Sequence, residues 1–389
     1  MSTTSPSPLL GDLAAALPAP ARIYYSLKAN PHPAIAGEVV RRGGGAEVSS
    51  TGELASALAG GATPADCLYS GPGKTVAEIE NAISAGVTFF SVESAGELAK
   101  LAAVARRLGR PVDTMIRFNP DGFTAAAGLV MSGAPSQFGA DESDIERNPD
   151  AFAGDEFARV VGLHCYLGSN LSSVADLVAV FTAIIATAAR LASRHGIRLD
   201  VLDLGGGFAH PYATVGERPA LAGLREAIEP VLDRHLPAWR SGTPRLIFES
   251  GRYLAGGCGT LVGTVLDAKE SKGRAFAVLD FGINHFGGMA GLRRIPRVAV
   301  AVTADSAGTA VRPTTLTGPL CTPLDLVTTA DLPPLAAGDR VSIPNVGAYG
   351  LTASLVSFLS HTPPAEVVVD GERLVGVSRL SLVRNERSL

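Results

Sequence analysis

The sequence predicts an α/β protein, a (β/α)8 barrel followed by a mainly antiparallel β domain. Three observations carry this expectation. Short apolar runs alternate with segments of helical spacing eight times. The runs end on polar residues or glycines. After Arg252 the helical spacing gives way to closely spaced β-rich runs.

The first run, IYYSLKA (23–29), ends on Lys28, Ala29 and Asn30. GAEVSS (45–50) and DCLYSGP (66–72) follow, the latter reaching Ser70, Gly71 and Pro72. TFFSVES (88–94) and TMIRFNP (114–120) come next, with Arg117 near the end of the second. VVGLHCYLGS (160–169) contains His164 and closes on Ser169. LDVLDLGGG (199–207) ends on Gly205, Gly206 and Gly207, and RLIFES (245–250) carries Glu249. Between the runs, TVAEIENAISAG and SAGELAKLAAVARRLG repeat apolar residues three and four apart, the mark of a helix with one buried face. Continuous apolar strands alternating with such helices mean a parallel sheet covered on its faces. Eight units in about 230 residues is the size of a closed barrel, with a doubly wound open sheet as the alternative. In a barrel, chemistry collects at the C-terminal ends of the strands. Residues 12–250 are therefore expected to form the barrel and its active rim. Residues 251–389 hold CGTLVGTVLDA, GRAFAVLDFG, PRVAVAVTA, DRVSIPNVGAYG and EVVVDGERLVGVSRLSLV, which read as strands parted by turn residues.

Composition narrows the class. Thirty-three Lys and Arg against 37 Asp and Glu give a net charge of −4, with no block of like charge. Nucleic acid and anionic membrane are not expected as partners. The four cysteines (67, 165, 258, 321) form no CxxC pair, so neither a disulfide framework nor a zinc site is expected and a reducing cytoplasm fits. No basic segment precedes an apolar run in the first twenty residues, so no secretory leader is expected. No run of about 18 apolar residues is apparent, so no membrane-spanning helix is expected.

Six features carry chemistry. Lys28 ends an apolar strand, where a partly desolvated amine forms an imine with an aldehyde cofactor; a solvated strand-end lysine is the alternative. The three glycines of LDLGGGF let backbone N–H groups approach an anion closely, or form a tight turn. Ser169 would add a hydroxyl. In ESGRYL (249–254), Glu249 would pair with a protonated ring nitrogen and Arg252 with a phosphate, or the two with each other. His164 would stack on a flat ring or move a proton. Cys321, in GPLCTPLD (318–325), is a candidate proton donor or a small buried hydrophobe. Tyr349 in GAYG offers a phosphate ligand or a packing aromatic.

The ordered series YSLKAN, GAEVSSTGEL, SGPGK, VESAGEL, IRFNP, SQFG, GLHCYLGSN, LDLGGGF, ESGRYL, GPLCTPLD and GAYG resembles the fold-type III pyridoxal-phosphate (PLP) decarboxylases, which include the diaminopimelate, ornithine and lysine enzymes. The resemblance runs from about residue 20 to residue 364. It implies PLP as cofactor, an alanine-racemase-like TIM barrel and a lyase activity. Lys28 matches the imine-forming lysine and His164 the residue stacked on the ring. Gly205, Gly206, Gly207, Ser169, Gly251, Arg252 and Tyr349 match the phosphate site. Glu249 matches the partner of the pyridine nitrogen and Arg117 an arginine at the cofactor's edge. Cys321 and Asp325 match residues that a second subunit contributes, which implies a homodimer with shared sites. Alanine racemases, of the same fold, carry arginine at the Glu249 position, so glutamate there implies decarboxylation, with Cys321 reprotonating the α-carbon.

Thr322 departs from the diamino-acid enzymes, which place an acid after the cysteine to hold the distal amine. A buried ammonium without a counter-charge costs several kcal/mol. The expected substrate is thus an acylated or carrier-tethered amino acid in a specialised biosynthetic pathway. SGPGK, SQFG, LCTPLD and FLSH (358–361) are similar to two such branches, one acting on a glutamyl group on an acyl carrier protein in butirosin biosynthesis, the other on citryl-diaminopropionate in siderophore assembly. A decarboxylase of free diamino acids and a non-catalytic PLP-binding relative are the alternatives. Two further departures are the 27 residues ahead of Lys28, too few for the family's opening strand and helix, and Phe281 where the family has glycine.

Overall fold

The computed structural model describes residues 6–122, 129–130, 135–286, 300–306 and 310–384. They fall into two compact units: Pro6–His210 with Arg218–Leu254, and Pro211–Glu217 with the described part of Ala255–Leu389.

The first unit is the expected closed barrel. Its strands are β1 (Ala21–Ser26), β2 (Gly45–Val48), β3 (Cys67–Tyr69), β4 (Phe89–Val92), β5 (Val112–Asn119), β6 (Ala158–His164), β7 (Val201–Asp203) and β8 (Arg245–Ser250). Each pairs in parallel with the next, and β8 returns to β1 with Tyr24 opposite Glu249. All eight apolar runs therefore became strands, and closure removes the open-sheet alternative. Inside, Tyr24, Leu68, Met115, Val161, Val201 and Ile247 form one buried cluster drawn from six strands. Such a packed interior leaves the rim as the place for a ligand.

The helices are α1 (Pro6–Ala16), α2 (Pro33–Arg41), α3 (Thr51–Ala59), α4 (Val76–Ser84), α5 (Ala95–Leu108), α6 (Glu142–Arg147), α7 (Val174–His195) and α8 (Leu224–His235). Three of them start on the same device, a Ser or Thr followed three residues later by Glu. Ser50, Thr75 and Ser94 accept from the backbone N–H of Glu53, Glu78 and Glu97. Each cap satisfies an otherwise orphaned donor and contributes about 1 kcal/mol. Leu9, Leu13 and Leu17 of the N-terminal segment are buried. Among the described residues, none ahead of β1 joins the second unit's sheet.

α7 holds the long apolar stretch that the sequence was expected to lack. The helix has 22 residues and an 18-residue window with a mean hydropathy of 1.9, long and apolar enough to cross a bilayer by composition. Yet Leu177, Val180, Phe181, Ile184, Ile185, Ala188 and Leu191 are buried at helical spacing. Its Arg190 pairs with Glu142 and Glu146 of α6. This is the pattern of a helix covering a barrel.

The second unit is built on a six-stranded sheet of β9 (Leu261–Ser271), β10 (Arg274–Leu279), β11 (Thr303–Asp305), β12 (Arg312–Thr317), β13 (Leu326–Leu332) and β14 (Arg340–Ile343). The order is β11-β14-β9-β10-β12-β13, antiparallel except for β10 beside β12. A hairpin of β15 (Ala365–Asp370) and β16 (Arg373–Arg379) follows. Of the run PRVAVAVTA, residues 296–299 lie outside the described residues. Phe281 is buried in this unit's core with Val265, Leu279, Leu316 and Ile343. Its ring fills the space beside Gly263, where a Cβ would lie 2.3 Å from Cδ1. The bulky residue at 281 is thus matched by an absent side chain across from it.

Candidate active site at the barrel rim

Lys28 stands in a single 3-10 turn, Leu27–Ala29, directly after β1. The turn lifts its chain out of the sheet, and its side chain is 43% exposed. The ammonium reaches Glu47 of β2, 3.2 Å from Oε2 and 3.4 Å from Oε1, and lies 5.8 Å from the Tyr166 ring centre. Glu47 is buried and accepts a hydrogen bond from Ser70 Oγ at the end of β3. Burial alone would push this carboxyl up. Lys28 and the hydroxyls of Ser70 and Ser26 outweigh burial, so Glu47 stays below the usual carboxylate range.

Across the rim, β6 and β7 end on His164 and Asp203, and Glu249 is the last residue but one of β8; all three are buried. His164 Nδ1 shares a 2.8 Å hydrogen bond with Ser91 Oγ of β4. Its Nε2 lies 3.5 Å from Glu249 Oε1, and neither atom has a hydrogen-bond partner among the described residues, nor does Asp203 Oδ2. Burial, then the cations Arg117, Lys28 and Lys74, hold His164 well below its ordinary value, so the ring is neutral at pH 7. Burial, then Glu47 and Asp203, push Glu249 well above its ordinary value. Asp203 is pushed up to about 7, first by burial, against the hydrogen bond it accepts from Gly205 N. The floor of the rim is therefore a patch of buried acids that favours an added positive charge.

Arg117 of β5 is held beside this floor. It pairs with Glu93 at 3.0 Å, and its guanidinium stacks 5.0 Å from the Phe138 ring centre. Glu93 Oε2 accepts from Gly139 N at 2.6 Å, within the SQFG run. Glu97 accepts from Glu93 N and from the buried Lys74, whose amine also donates to Gly71 O at 2.6 Å. Burial pushes the Lys74 amine down, against Glu97 and Glu93. It is a second amine near the rim, but a buried and tethered one.

The glycine loop is sterically committed. A Cβ on Gly206 would lie 1.9 Å from the Glu249 carbonyl oxygen, and one on Gly207 2.5 Å from Gly168 O. Gly205 and Gly207 adopt φ of +63° and +98°, which only glycine takes without strain. Leu171 N donates to Gly207 O at 2.8 Å, drawing the Gly168–Ser169 segment alongside. Gly251 is equally tight, since a Cβ there would meet Ala29 Cβ at 2.8 Å. Arg252 opens the short helix Arg252–Ala255. Lys28, Arg117, His164, Ser169, Gly205, Gly206, Gly207, Glu249, Gly251 and Arg252 thus all belong to the barrel unit, and all but Arg117 on β5 and Glu249 on β8 lie at the last residue of a strand or in the segment that follows it.

Cys321, Thr322, Asp325 and Tyr349 belong to the β unit. Cys321 is exposed. Thr322 Oγ1 accepts from Leu324 N at 3.3 Å. Asp325 is buried, and both oxygens are occupied: Oδ1 accepts from Ile283 N at 2.9 Å and Oδ2 from Leu320 N at 2.8 Å. It ties down the loop that carries Cys321. Tyr349 has φ +56°, and its carbonyl accepts from the Tyr212 hydroxyl at 3.3 Å. A bulky residue in that conformation is uncommon and marks a constrained turn.

Sequence reasoning missed Glu47, Asp203, Glu93 and Lys74. The available signal was a charged residue inside or beside a buried strand: Glu47 in GAEVSS, Asp203 two residues before the triple glycine, and Lys74 in SGPGK.

Facing atoms of His164, Asp203 and Glu249 lie within 4.8 Å of one another, a set able to hold a cation, whether a metal ion or a protonated ring nitrogen. What favours a flat organic cofactor bearing phosphate is the rest of the rim. The neutral His164 ring, the side-chain-free glycine cradle and the exposed Lys28 amine fit a ring, a phosphate and an aldehyde.

Comparison with known proteins agrees. Residues 10–256 match the family model "Pyridoxal-dependent decarboxylase, pyridoxal binding domain". The chain is 33% identical over 353 residues to the L-glutamyl-[BtrI acyl-carrier protein] decarboxylase of Niallia circulans, covering 89% of this chain and 82% of that protein. It is 31% identical to the diaminopimelate decarboxylase of Pseudomonas aeruginosa, over 94% of this chain and 85% of that one. The structure of diaminopimelate decarboxylase from Helicobacter pylori complexed with L-lysine is similar with a TM-score of 0.81 and 27% identity, over 95% of this chain and 90% of that one.

Proposed function

The chain belongs to the pyridoxal-dependent decarboxylases, and from that premise we propose that it decarboxylates an α-amino acid whose side chain ends in an acyl or carrier-bound group instead of a free amine. It is a PLP-dependent lyase. The observation that carries the substrate proposal is the loop 318–325. Its single carboxylate, Asp325, is committed to two backbone N–H groups, and Thr322 stands after Cys321. A distal ammonium brought to this loop would meet a hydroxyl at 322 in place of an acid, and a buried Asp325 whose oxygens already anchor the loop. The relative acting on an L-glutamyl acyl-carrier substrate supports the same reading.

In this proposal Lys28 holds the cofactor through its amine. Gly205, Gly206, Gly207, Ser169, Gly251, Arg252 and Tyr349 serve its phosphate, and Arg117 its edge. When bound, PLP supplies an electron sink for the carbanion left by departing carbon dioxide. His164, neutral, offers a flat face that does not oppose a positive ring. Glu249, with Asp203 behind it, keeps the ring nitrogen protonated, which relieves the strain of two buried acids. Glu47 remains ionised and holds Lys28 as an ammonium whenever its amine is released. Cys321 delivers a proton to the α-carbon, across a homodimer in which each subunit completes its partner's site. We place the enzyme in the cytoplasm, in a specialised biosynthetic pathway.

The diaminopimelate decarboxylase relatives support the alternative, a free diamino acid. The test is a substrate panel read by mass spectrometry for loss of carbon dioxide: free diaminopimelate, ornithine, lysine and glutamate, a glutamyl pantetheine thioester and citryl-diaminopropionate. Turnover of the acylated compounds alone is expected. Turnover of a free diamino acid would overturn the substrate proposal and leave the lyase assignment standing.

A further inference from the structure

The face of the β unit's sheet that carries Phe276, Thr315 and Thr329 holds a pocket of about 410 Å³, its walls partly apolar and its polar groups mainly threonine hydroxyls. Its walls follow from register. Phe276 of β10 stands beside Thr315 of β12, and Thr315 opposite Thr329 of β13. Arg274 is two residues before Phe276 and so shares its face. Thr317 and Thr322 close the other end. From Arg274 to the level of Val278, which pairs with Thr317, is four residues, or ~13 Å along the strand.

The chemistry of this pocket is one-sided. Arg274 is exposed, with its guanidinium 5.8 Å from the Phe276 ring centre, and no carboxylate pairs with it among the described residues. Asp325 also lines the pocket, at the end away from Arg274, where each of its oxygens accepts a backbone N–H. Thr315 and Thr329 share one 3.2 Å hydroxyl–hydroxyl bond. That bond uses one of their two protons, leaving the other to donate outward. Thr322 Oγ1 accepts from Leu324 N and keeps its own proton to give. The pocket is therefore a row of hydroxyl donors leading from the residue beside Cys321 to an unpaired cation.

We propose that this pocket binds an extended, amide-bearing arm that ends in a phosphate, with the threonines on the amides and Arg274 on the phosphate. This rests on the carrier-tethered reading, because the pantetheine arm of an acyl carrier has that chemistry: a thioester, two amides and a terminal phosphodiester. A phosphate on a surface arginine gains a charge-assisted, two-pronged contact, and its loss is expected to cost about tenfold in affinity.

The experiment is a calorimetric titration of the PLP-loaded enzyme with 4′-phosphopantetheine and with pantetheine, in wild type and in Arg274→Gln, followed by kinetics with the two glutamyl thioesters. Wild type is expected to bind the phosphorylated arm about tenfold more tightly, and R274Q to remove that preference. In kinetics the same tenfold appears in KM for the phosphorylated thioester, with kcat and the cofactor's absorbance unmoved. Equal affinity for both arms in wild type, or a preference that survives R274Q, would overturn the pocket assignment. If the pocket binds the phosphorylated arm but neither thioester turns over, the underlying substrate reading falls and the pocket stands. If the thioesters turn over with no preference for phosphate, the reverse holds.

Discussion

Gly206→Ala puts the glycine cradle to a quantitative test. The added Cβ would lie 1.9 Å from the Glu249 carbonyl oxygen, where ordinary contact begins at 3.4 Å. The glycine loop and the end of β8 would have to part by ~1.5 Å, and both walls are backbone. Their separation also breaks the 2.7 Å bond from Glu249 N to Gly205 O. Overpacking of this kind costs about 1–3 kcal/mol and the lost hydrogen bond about 1 kcal/mol more. The cofactor-free protein should therefore melt roughly 5–10 °C lower, at 2–4 °C per kcal/mol for a domain of this size. A shift of about 1 Å in a positioning loop weakens its function on the order of a hundredfold, so the Kd for PLP should rise by one to two decades. Thermal melts of the cofactor-free protein and a PLP absorbance titration measure the two effects. Gly11→Ala is the control, since nothing lies within 4 Å of that Cβ. A Gly206→Ala variant with wild-type melting and wild-type PLP affinity would refute the claim that this backbone approach builds the phosphate cradle.

Further outcomes follow from the rim's electrostatics and from the proposed assembly. Asp203 binds its proton more tightly folded, at about 7, than its ordinary 3.8; the native state then holds the extra proton, so the cofactor-free protein loses stability as pH rises from about 4 to about 7 and levels off above. Glu47, Glu249, Arg117 and His164 face the same floor, so Asp203→Asn should flatten this slope in melts against pH, and an unchanged slope would remove Asp203 as its source. Glu249→Gln should lower kcat on the order of a hundredfold with little change in KM; near-wild-type kcat would mean the ring nitrogen is served by another group. Mixing Lys28→Ala with Cys321→Ala subunits should restore part of the activity each lacks alone. Absence of recovery after demonstrated subunit exchange would count against a shared site.

The barrel was legible because its signal is one of length and repetition. Eight continuous apolar runs with capped amphipathic helices between them leave little else to build, and Lys28, His164, Gly205–Gly207 and Glu249 could be placed near the strand ends by position, while their roles came from the family resemblance. The acids behind them could not. Glu47 and Asp203 act through burial and through each other, and no local pattern states that a carboxylate will be desolvated beside another. The Lys74–Glu97–Glu93–Arg117 chain joins the loop after β3, the end of β4, helix α5 and strand β5, a proximity that appears only once the three strands pair. Phe281 looked anomalous in sequence because its complement, the absent side chain at Gly263, lies on another strand. The long apolar stretch of α7 goes unnoticed in sequence because polar residues interrupt it, and composition cannot tell a barrel-covering helix from a spanning one.

The most direct test of the central claim is to reduce the PLP-loaded protein with borohydride and map the modified peptide by mass spectrometry. The account predicts a single phosphopyridoxyl group on Lys28, the exposed amine at the end of β1. Modification of Lys74, the buried amine near the rim, or of neither lysine, would contradict it.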